Sequence, residues 1–440
     1  MHMTTPSQRR NRFLNQAVSL LLLASATVSP GMAAEPPAQK PNFIFILVDD
    51  MSWGDLGCFG HPYAKTPNLD RMAEQGIKFT QFYVCAVECA PSRSALLTGR
   101  VPCKAGKSGN GQQRLDPSLP NVNKLLKPAG YATGHFGKWH LYNGFKDPPD
   151  SERAQYQIDE WFLSSANGHT ADTAREATDH ALGFIDRHKD NPFHMNVWYV
   201  WPHLPTNPNA AQVAVYNDLA TVDVTTFHPT MQAKYKQIKH LHPGYDLTDR
   251  MKNYLATISD LDKQVGRIVA KLDALKLSQD TLVVFSSDQG AVANNITKVD
   301  KHDMWPANAG PYRGGKFEYL EGGIRMPCVA QWKGRLKGGQ VNDSLWRTVD
   351  WLPTVCSLAG VKTKGITLDG QDVSDILLGA HRERKEPIFW QGAVREGNWK
   401  LVQGGLYNLE TDPSEQNNLA KKEAERAQRM KNLLQEWLKK

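Results

Sequence analysis

Two short apolar runs, each closing on an acid, constrain this chain more than any other feature. NFIFILVDD (residues 42–50) and TLVVFSSDQG (281–290) are almost unbroken in apolar residues. A strand with one wet face alternates apolar and polar residues. These do not, so each reads as a strand buried on both faces of a parallel sheet. The first ends in Asp49 and Asp50, the second in Asp288 and Gln289. Open α/β sheets bind ligands at the carboxyl edge, where these residues fall.

The rest of the chain alternates in the same way. Thr66-Pro67 reads as an N-cap and first helical residue, with Gly76 as the stop. CAPSRSALLTGR (89–100) begins at a predicted helix start, with Pro91 in its first turn. YATGHFGKWH (131–140) predicts a strand running into a loop, and FHMNVWYVWPHLP (193–205) a strand closed by prolines. Residues 171–188 carry a helical apolar period. Residues 248–276 place Met251, Leu255, Ile258, Leu261, Val265, Ile268 and Leu272 on one helix face. From about residue 385 the pattern changes to short strands with glycine turns, then an amphipathic helix over 419–439. The expectation is a large doubly wound α/β domain (35–384) followed by a small antiparallel sheet plus helix (385–440).

Residues 1–34 read as an export signal. Arg9, Arg10 and Arg12 precede a short apolar core, and small residues near Ala33 and Ala34 offer a cleavage site. No later stretch predicts a membrane anchor, so a periplasmic or secreted location is expected. Removing the three arginines of residues 1–34 lowers the formal charge of the chain from +7 to +4. That residual charge is scattered, which argues against a nucleic-acid partner. Six cysteines (58, 85, 89, 103, 328, 356) are too few for a disulfide scaffold in a chain of this length. Cys89 is therefore a bridge to Cys85, a buried filler or a reactive group.

Cys89, Asp49-Asp50, Lys138 with His140, and Asp288-Gln289 all fall at predicted strand exits or a helix start. Carboxylates and an amide oxygen are hard ligands suited to Ca²⁺ or Mg²⁺ rather than zinc. Lys138, His140, His203 and Lys316 add hydrogen-bond donors and mobile protons. A helix start at Cys89 favours an anion in the same place. The set suits a phosphate or sulfate ester. A phosphatase on such a sheet would want a Ser or Thr nucleophile and a two-metal site. Here the acids suffice for one metal. His61, His135, His169 and His302 have no such context and read as structural. Trp201, Trp305 and Arg313 are candidates for a sugar subsite, since aromatics stack on sugar faces, but are read as packing or surface residues and left out of the site.

CAPSRSALLTGR resembles the signature of the type I, formylglycine-dependent sulfatases, in the alkaline-phosphatase-like superfamily. VDDMSWGDLGCFG (48–60), TPNLDRMAEQGIKFTQFY (66–83), GKWHL (137–141), PHLP (202–205), SSDQG (286–290), GGKFEYLEGGIRMP (314–327) and LYNLETDPSEQNNLA (406–420) are similar to blocks of that family, in family order. The branch most resembled is that of N-acetylgalactosamine-6-sulfatase and arylsulfatase A. The resemblance implies a mixed sheet and hydrolysis of sulfate esters, on sulfated carbohydrate or aryl sulfates. It implies conversion of Cys89 to formylglycine by a formylglycine-generating enzyme. It implies one Ca²⁺ held by Asp49, Asp50, Asp288, Gln289 and modified Cys89. Gln289 departs from the family, which has Asn or sometimes His there. Arg93 would hold the formylglycine as a hydrate, and Lys138, His203 and Lys316 would bind sulfate. His203 or Lys316 would protonate the leaving alcohol.

An aldehyde hydrate carries two hydroxyls on one carbon. One would attack sulfur to form a sulfate ester of the enzyme. The other, deprotonated by His140, would expel sulfate, a step that serine lacks. The competing readings are a phosphate mono- or diesterase or phosphonate hydrolase of the same superfamily, and a non-catalytic binder of sulfated glycans.

Overall fold

A strand lined with large apolar side chains on both sides must be covered on both sides, and β1 (Asn42–Asp49) is. In the computed structural model Ile44, Ile46 and Val48 enter one core and Phe43, Phe45 and Leu47 another. The first core is closed by the helices Thr173–His188 and Leu247–Ala274, through Phe184, Ile185, Leu261 and Val265. The second is closed by the helices Cys89–Thr98 and Trp351–Leu358, through Leu96, Leu97, Trp351 and Leu352. The structure describes residues 40–102, 114–142, 146–164, 170–292 and 306–439. The predicted signal segment, Cys103, His169, His302 and Trp305 lie outside these residues.

The other strands of the main sheet are β2 (Ile77–Tyr83), β3 (Ala132–Gly137), β4 (Glu160–Leu163), β5 (Phe193–Pro202), β6 (Thr281–Ser287), β7 (Arg325–Gln331), β8 (Gln340–Asn342) and β9 (Trp346–Arg347). The order is β4-β3-β5-β1-β6-β7-β2-β8, with β9 also on β2. All run parallel except β7, which is antiparallel to both neighbours, so the sheet is mixed. From β1 the chain leaves to one side for β2 and then crosses to the other for β3. That reversal makes the carboxyl end of β1 the crevice of a doubly wound sheet.

Beyond it lie the antiparallel strands β10 (Ile388–Trp390), β11 (Ala393–Glu396), β12 (Trp399–Val402) and β13 (Gly405–Asn408). The helix Ala424–Lys439 packs Met430 on their Val394, Leu401 and Leu406. It starts at Ala424 rather than at 419, and Leu419 N donates to Leu406 O at 2.8 Å. Leu438, expected on the apolar side, is 49% exposed.

Two capping expectations change. Thr66 does precede the helix Pro67–Glu74, but its hydroxyl does not cap it. Oγ1 instead accepts from Gly57 N at 2.9 Å and donates to Asp70 Oδ1 at 3.0 Å. Gly76 serves β7 rather than the helix end alone: a Cβ there would stand 2.0 Å from Ala330 O. Among the described residues no helix is long and apolar enough to cross a membrane.

Candidate active site

β1 and β6 are adjacent and in register, so their terminal acids meet at one edge. Asp50 adopts a left-handed backbone (φ 63°), which an aspartate tolerates better than most residues. Its N–H donates to Asp288 Oδ1 at 3.2 Å, and Met51 N donates to Ser287 Oγ at 3.0 Å. These bonds lock the turn after β1 to the end of β6.

Cys89 begins its helix beside this edge. Pro91 lies in the first turn, where its missing N–H costs nothing. Sγ is 3.3 Å from Asp49 Oδ1 and 3.2 Å from Gln289 Nε2. Cys85 and Cys89 are both free thiols, so the bridge reading is set aside. Burial, with Asp49 adding to it, pushes the Cys89 thiol far above its ordinary range. The neutral thiol is a poor nucleophile.

One helical turn on, Arg93 is fully buried. Its Nε and Nη2 donate to Asp288 Oδ2 at 2.9 and 2.7 Å, Nη2 also reaches Asp49 Oδ2 at 3.2 Å, and Nη1 reaches Lys138 O at 3.2 Å. The guanidinium therefore ties three strand exits together.

Lys138 follows Gly137, whose φ of 113° and approach to Trp198 O exclude a side chain. Lys138 N donates to that carbonyl at 2.8 Å, and Nζ pairs with Asp49. On the far side Lys316 Nζ donates to Asp50 Oδ2 at 2.8 Å. His203 Nδ1 bonds Leu204 O at 2.7 Å, leaving Nε2 facing Asp50 Oδ2 at 3.6 Å. His140, also left-handed (φ 56°), lies within the fields of Lys138, Arg93, Asp49 and Lys316. All ten predicted residues thus converge on one cluster.

The electrostatics follow from burial. Burial alone would raise Asp49, but Lys138, His203 and Arg93 override it and hold its carboxyl well below the usual range. Burial and the neighbouring Asp49 push Asp288 up to about 7, against the pull of Arg93. Burial would neutralise Lys316, but Asp50 keeps it charged. Burial, then Lys138 and Arg93, push His140 down to about 2, and burial also lowers His203. Both rings are neutral at neutral pH.

The donor set fits a hard cation. Ligand atoms of Asp49, Asp50, Cys89 and His203 lie within 4.8 Å of one another. Gln289 turns its amide on both carboxylates, and its Oε1 is buried with no hydrogen-bond partner. Turning that amide over would present the oxygen to a cation among the carboxylates.

Residues left out of the set behave as structural. His61 and His135 are buried in the core, where His61 Nδ1 accepts from Tyr63 N and Ala64 N at 3.1 and 3.0 Å. Trp201 is core packing, and Arg313 is exposed, donating to Glu415 O at 2.5 Å. Sequence reasoning missed Ser287, which fastens Met51, and Phe317, which stands beside Lys316. Membership of the blocks SSDQG and GGKFEYLEGGIRMP was the only signal for either.

The Sulfatase family model matches residues 41–361. The chain is 34% identical over 397 residues to N-acetylgalactosamine-6-sulfatase of Sus scrofa, covering 84% of this chain and 72% of that protein. It is 32% identical over 433 residues to arylsulfatase A of Homo sapiens, covering 90% and 80%. Among solved structures, Ps i-CgsB in complex with k-i-k-neocarrahexaose superposes with a TM-score of 0.76 at 25% identity, covering 91% of this chain and 93% of that one. A cluster of acids, lysines and histidines at the switch point of a doubly wound sheet and this similarity along most of the chain agree: the chain belongs to the sulfatase family and is a sulfuric ester hydrolase.

Proposed function

We propose that this enzyme removes sulfate from sulfated carbohydrate of the galactose or N-acetylgalactosamine type. It would use formylglycine made from Cys89 and one Ca²⁺. The carrying observation is the setting of Cys89: a neutral, buried thiol among carboxylates, ringed by Lys138, Lys316 and His203. A sulfur ligand is a poor match for that hard oxygen set, and an oxygen at the same position completes it. The names of the similar proteins, a sugar sulfatase and a neocarrahexaose complex, support the substrate class.

Asp49, Asp50, Asp288 and Gln289 would hold the Ca²⁺, with the modified residue 89 as a further ligand; the ion supplies positive charge beside the sulfate oxygens. Formylglycine supplies, as its hydrate, one hydroxyl to attack sulfur and a second to drive sulfate release. Arg93 fixes Asp288 and Asp49 and with them the floor beneath residue 89. Lys138 and Lys316 bind sulfate oxygens through ammonium groups already held in place by Asp49 and Asp50. His203, with Nδ1 fixed on Leu204 O, would take up a proton at Nε2 as a bound sulfate raises its proton affinity and pass it to the leaving alcohol, a role Lys316 shares with its ammonium proton. His140 takes the proton that frees sulfate. Burial, and after it the charges of Lys138 and Arg93, keep this ring neutral; a bound sulfate offsets the cationic part, so its proton affinity rises when substrate is present.

Residues 1–34 would direct export, and a formylglycine-generating enzyme would act before folding buries Cys89. The test is sulfate release from sulfated galactose, N-acetylgalactosamine, glucosamine and fucose, run beside paired aryl sulfate and aryl phosphate. Faster phosphate than sulfate turnover would refute the proposal, as would turnover of the aryl sulfate with none of the sugars.

A further inference from the structure

Phe317 has no role in the cluster just described, yet its position is costly. It is 55% exposed and is the one aromatic among the large apolar side chains that stand out from the described surface. Its backbone is left-handed (φ 72°), a conformation that bulky residues avoid. Neighbouring backbone imposes it. Lys316 N donates to Ala291 O at 2.9 Å, Phe317 N donates to Val87 O at 3.0 Å, and Glu318 N donates to Gly315 O at 3.1 Å. The backbone that carries the ring is thus fixed from the Cys89 side and from the β6 side at once. Its centroid is 5.7 Å from Lys316 Nζ, the ammonium that pairs with Asp50.

We infer that Phe317 is a stacking platform for the sugar ring that carries the scissile sulfate. The inference rests on the carbohydrate reading of the site. A sulfate ester oxygen bound to Lys316 lies within about 3 Å of Nζ. The sugar carbon is one bond further out, and the phenyl ring, 5.7 Å from the same ammonium, is the exposed apolar surface offered to a pyranose there. That ring has an electron-rich face, which attracts the polarised C–H bonds of a pyranose and covers them from water. Because the backbone is held by three hydrogen bonds, the platform is in place before substrate arrives and little ordering is lost on binding. Phe317 would therefore select for a flat C–H face on the leaving group and would leave the sulfate contacts alone.

The test compares wild type, Phe317→Ala and Phe317→Tyr on the fastest-cleaved sugar of a panel of sulfated galactose, N-acetylgalactosamine, glucosamine and fucose. Inhibition by inorganic sulfate is measured on the same proteins. Loss of the ring is expected to raise KM about tenfold, with kcat changed by less than about twofold. Phe317→Tyr keeps the ring and should behave as wild type. Sulfate inhibition should stay constant across the three. An unchanged KM in Phe317→Ala would overturn the inference, and so would an equal weakening of sulfate inhibition, which would make Phe317 a prop for Lys316. A wild type that cleaves 4-nitrophenyl sulfate but no sugar would sink the carbohydrate reading, and the platform with it.

Discussion

Arg93 grips a single oxygen of Asp288 with two nitrogens, at 2.9 and 2.7 Å, and neither side chain is exposed to water. A charge so buried depends on its partner. Arg93→Ala leaves Asp288 and Asp49 short of their cation and should destabilise the fold by about 3–5 kcal/mol. Urea denaturation measures this, and a loss under about 1 kcal/mol would show that the pair is dispensable.

Lys138 acts at shorter range. Its ammonium pairs with Asp49 beneath the proposed sulfate position, so Lys138→Ala should lower kcat by about 10²–10³-fold. KM should move far less, because the lost charge matters most as charge builds on the sulfate oxygens in the transition state. A KM effect alone would make Lys138 a binding residue only.

Calcium should stabilise the folded chain. A ligand of the native state at a hundred times its dissociation constant adds about 2.7 kcal/mol. Thermal unfolding with added Ca²⁺ should therefore shift upward, and Mg²⁺ should do less because it sheds water reluctantly. Asp50→Asn should remove most of the shift. Equal shifts in the variant and the wild type would place the ion elsewhere.

Acid should weaken the fold through its core histidines. Burial pushes His61, His135 and His194 down to about 3. Below about pH 6.5 the unfolded chain binds protons that the folded chain refuses, so stability is complete above that pH and falls beneath it. Each ring contributes up to about 2 kcal/mol of loss between pH 6.5 and 5. Asp55 and Asp288, pushed up to about 6 and about 7 by burial, oppose this over part of the window but are two groups against three. Denaturant midpoints measured at pH 8 and at pH 5 should be lower at pH 5. A higher midpoint at pH 5 would contradict this account.

How far the sequence carried this reading depends on the kind of residue. The doubly buried strands were legible because NFIFILVDD and TLVVFSSDQG leave water no face, and the acids at their ends then had to share an edge. CAPSR was legible because its residue types and spacing are specific. Thr66 misled because a capping hydroxyl is chosen by tertiary partners, here Gly57 and Asp70. The antiparallel β7 and the short β8 and β9 were not read, since strand direction and pairing are set by neighbours distant in sequence. Phe317 was illegible for a related reason. Nothing in KFEYL announces a left-handed aromatic, which exists only because Ala291 and Val87 hold the flanking amides.

The central claim is that residue 89 works as formylglycine and not as a thiol. The most direct measurement is the mass of the peptide spanning residues 79–93 in preparations of differing activity. The account predicts a species lighter than the cysteine form by the exchange of H₂S for O, in a fraction that tracks sulfate release. Full activity in protein whose residue 89 is wholly unmodified cysteine would contradict it.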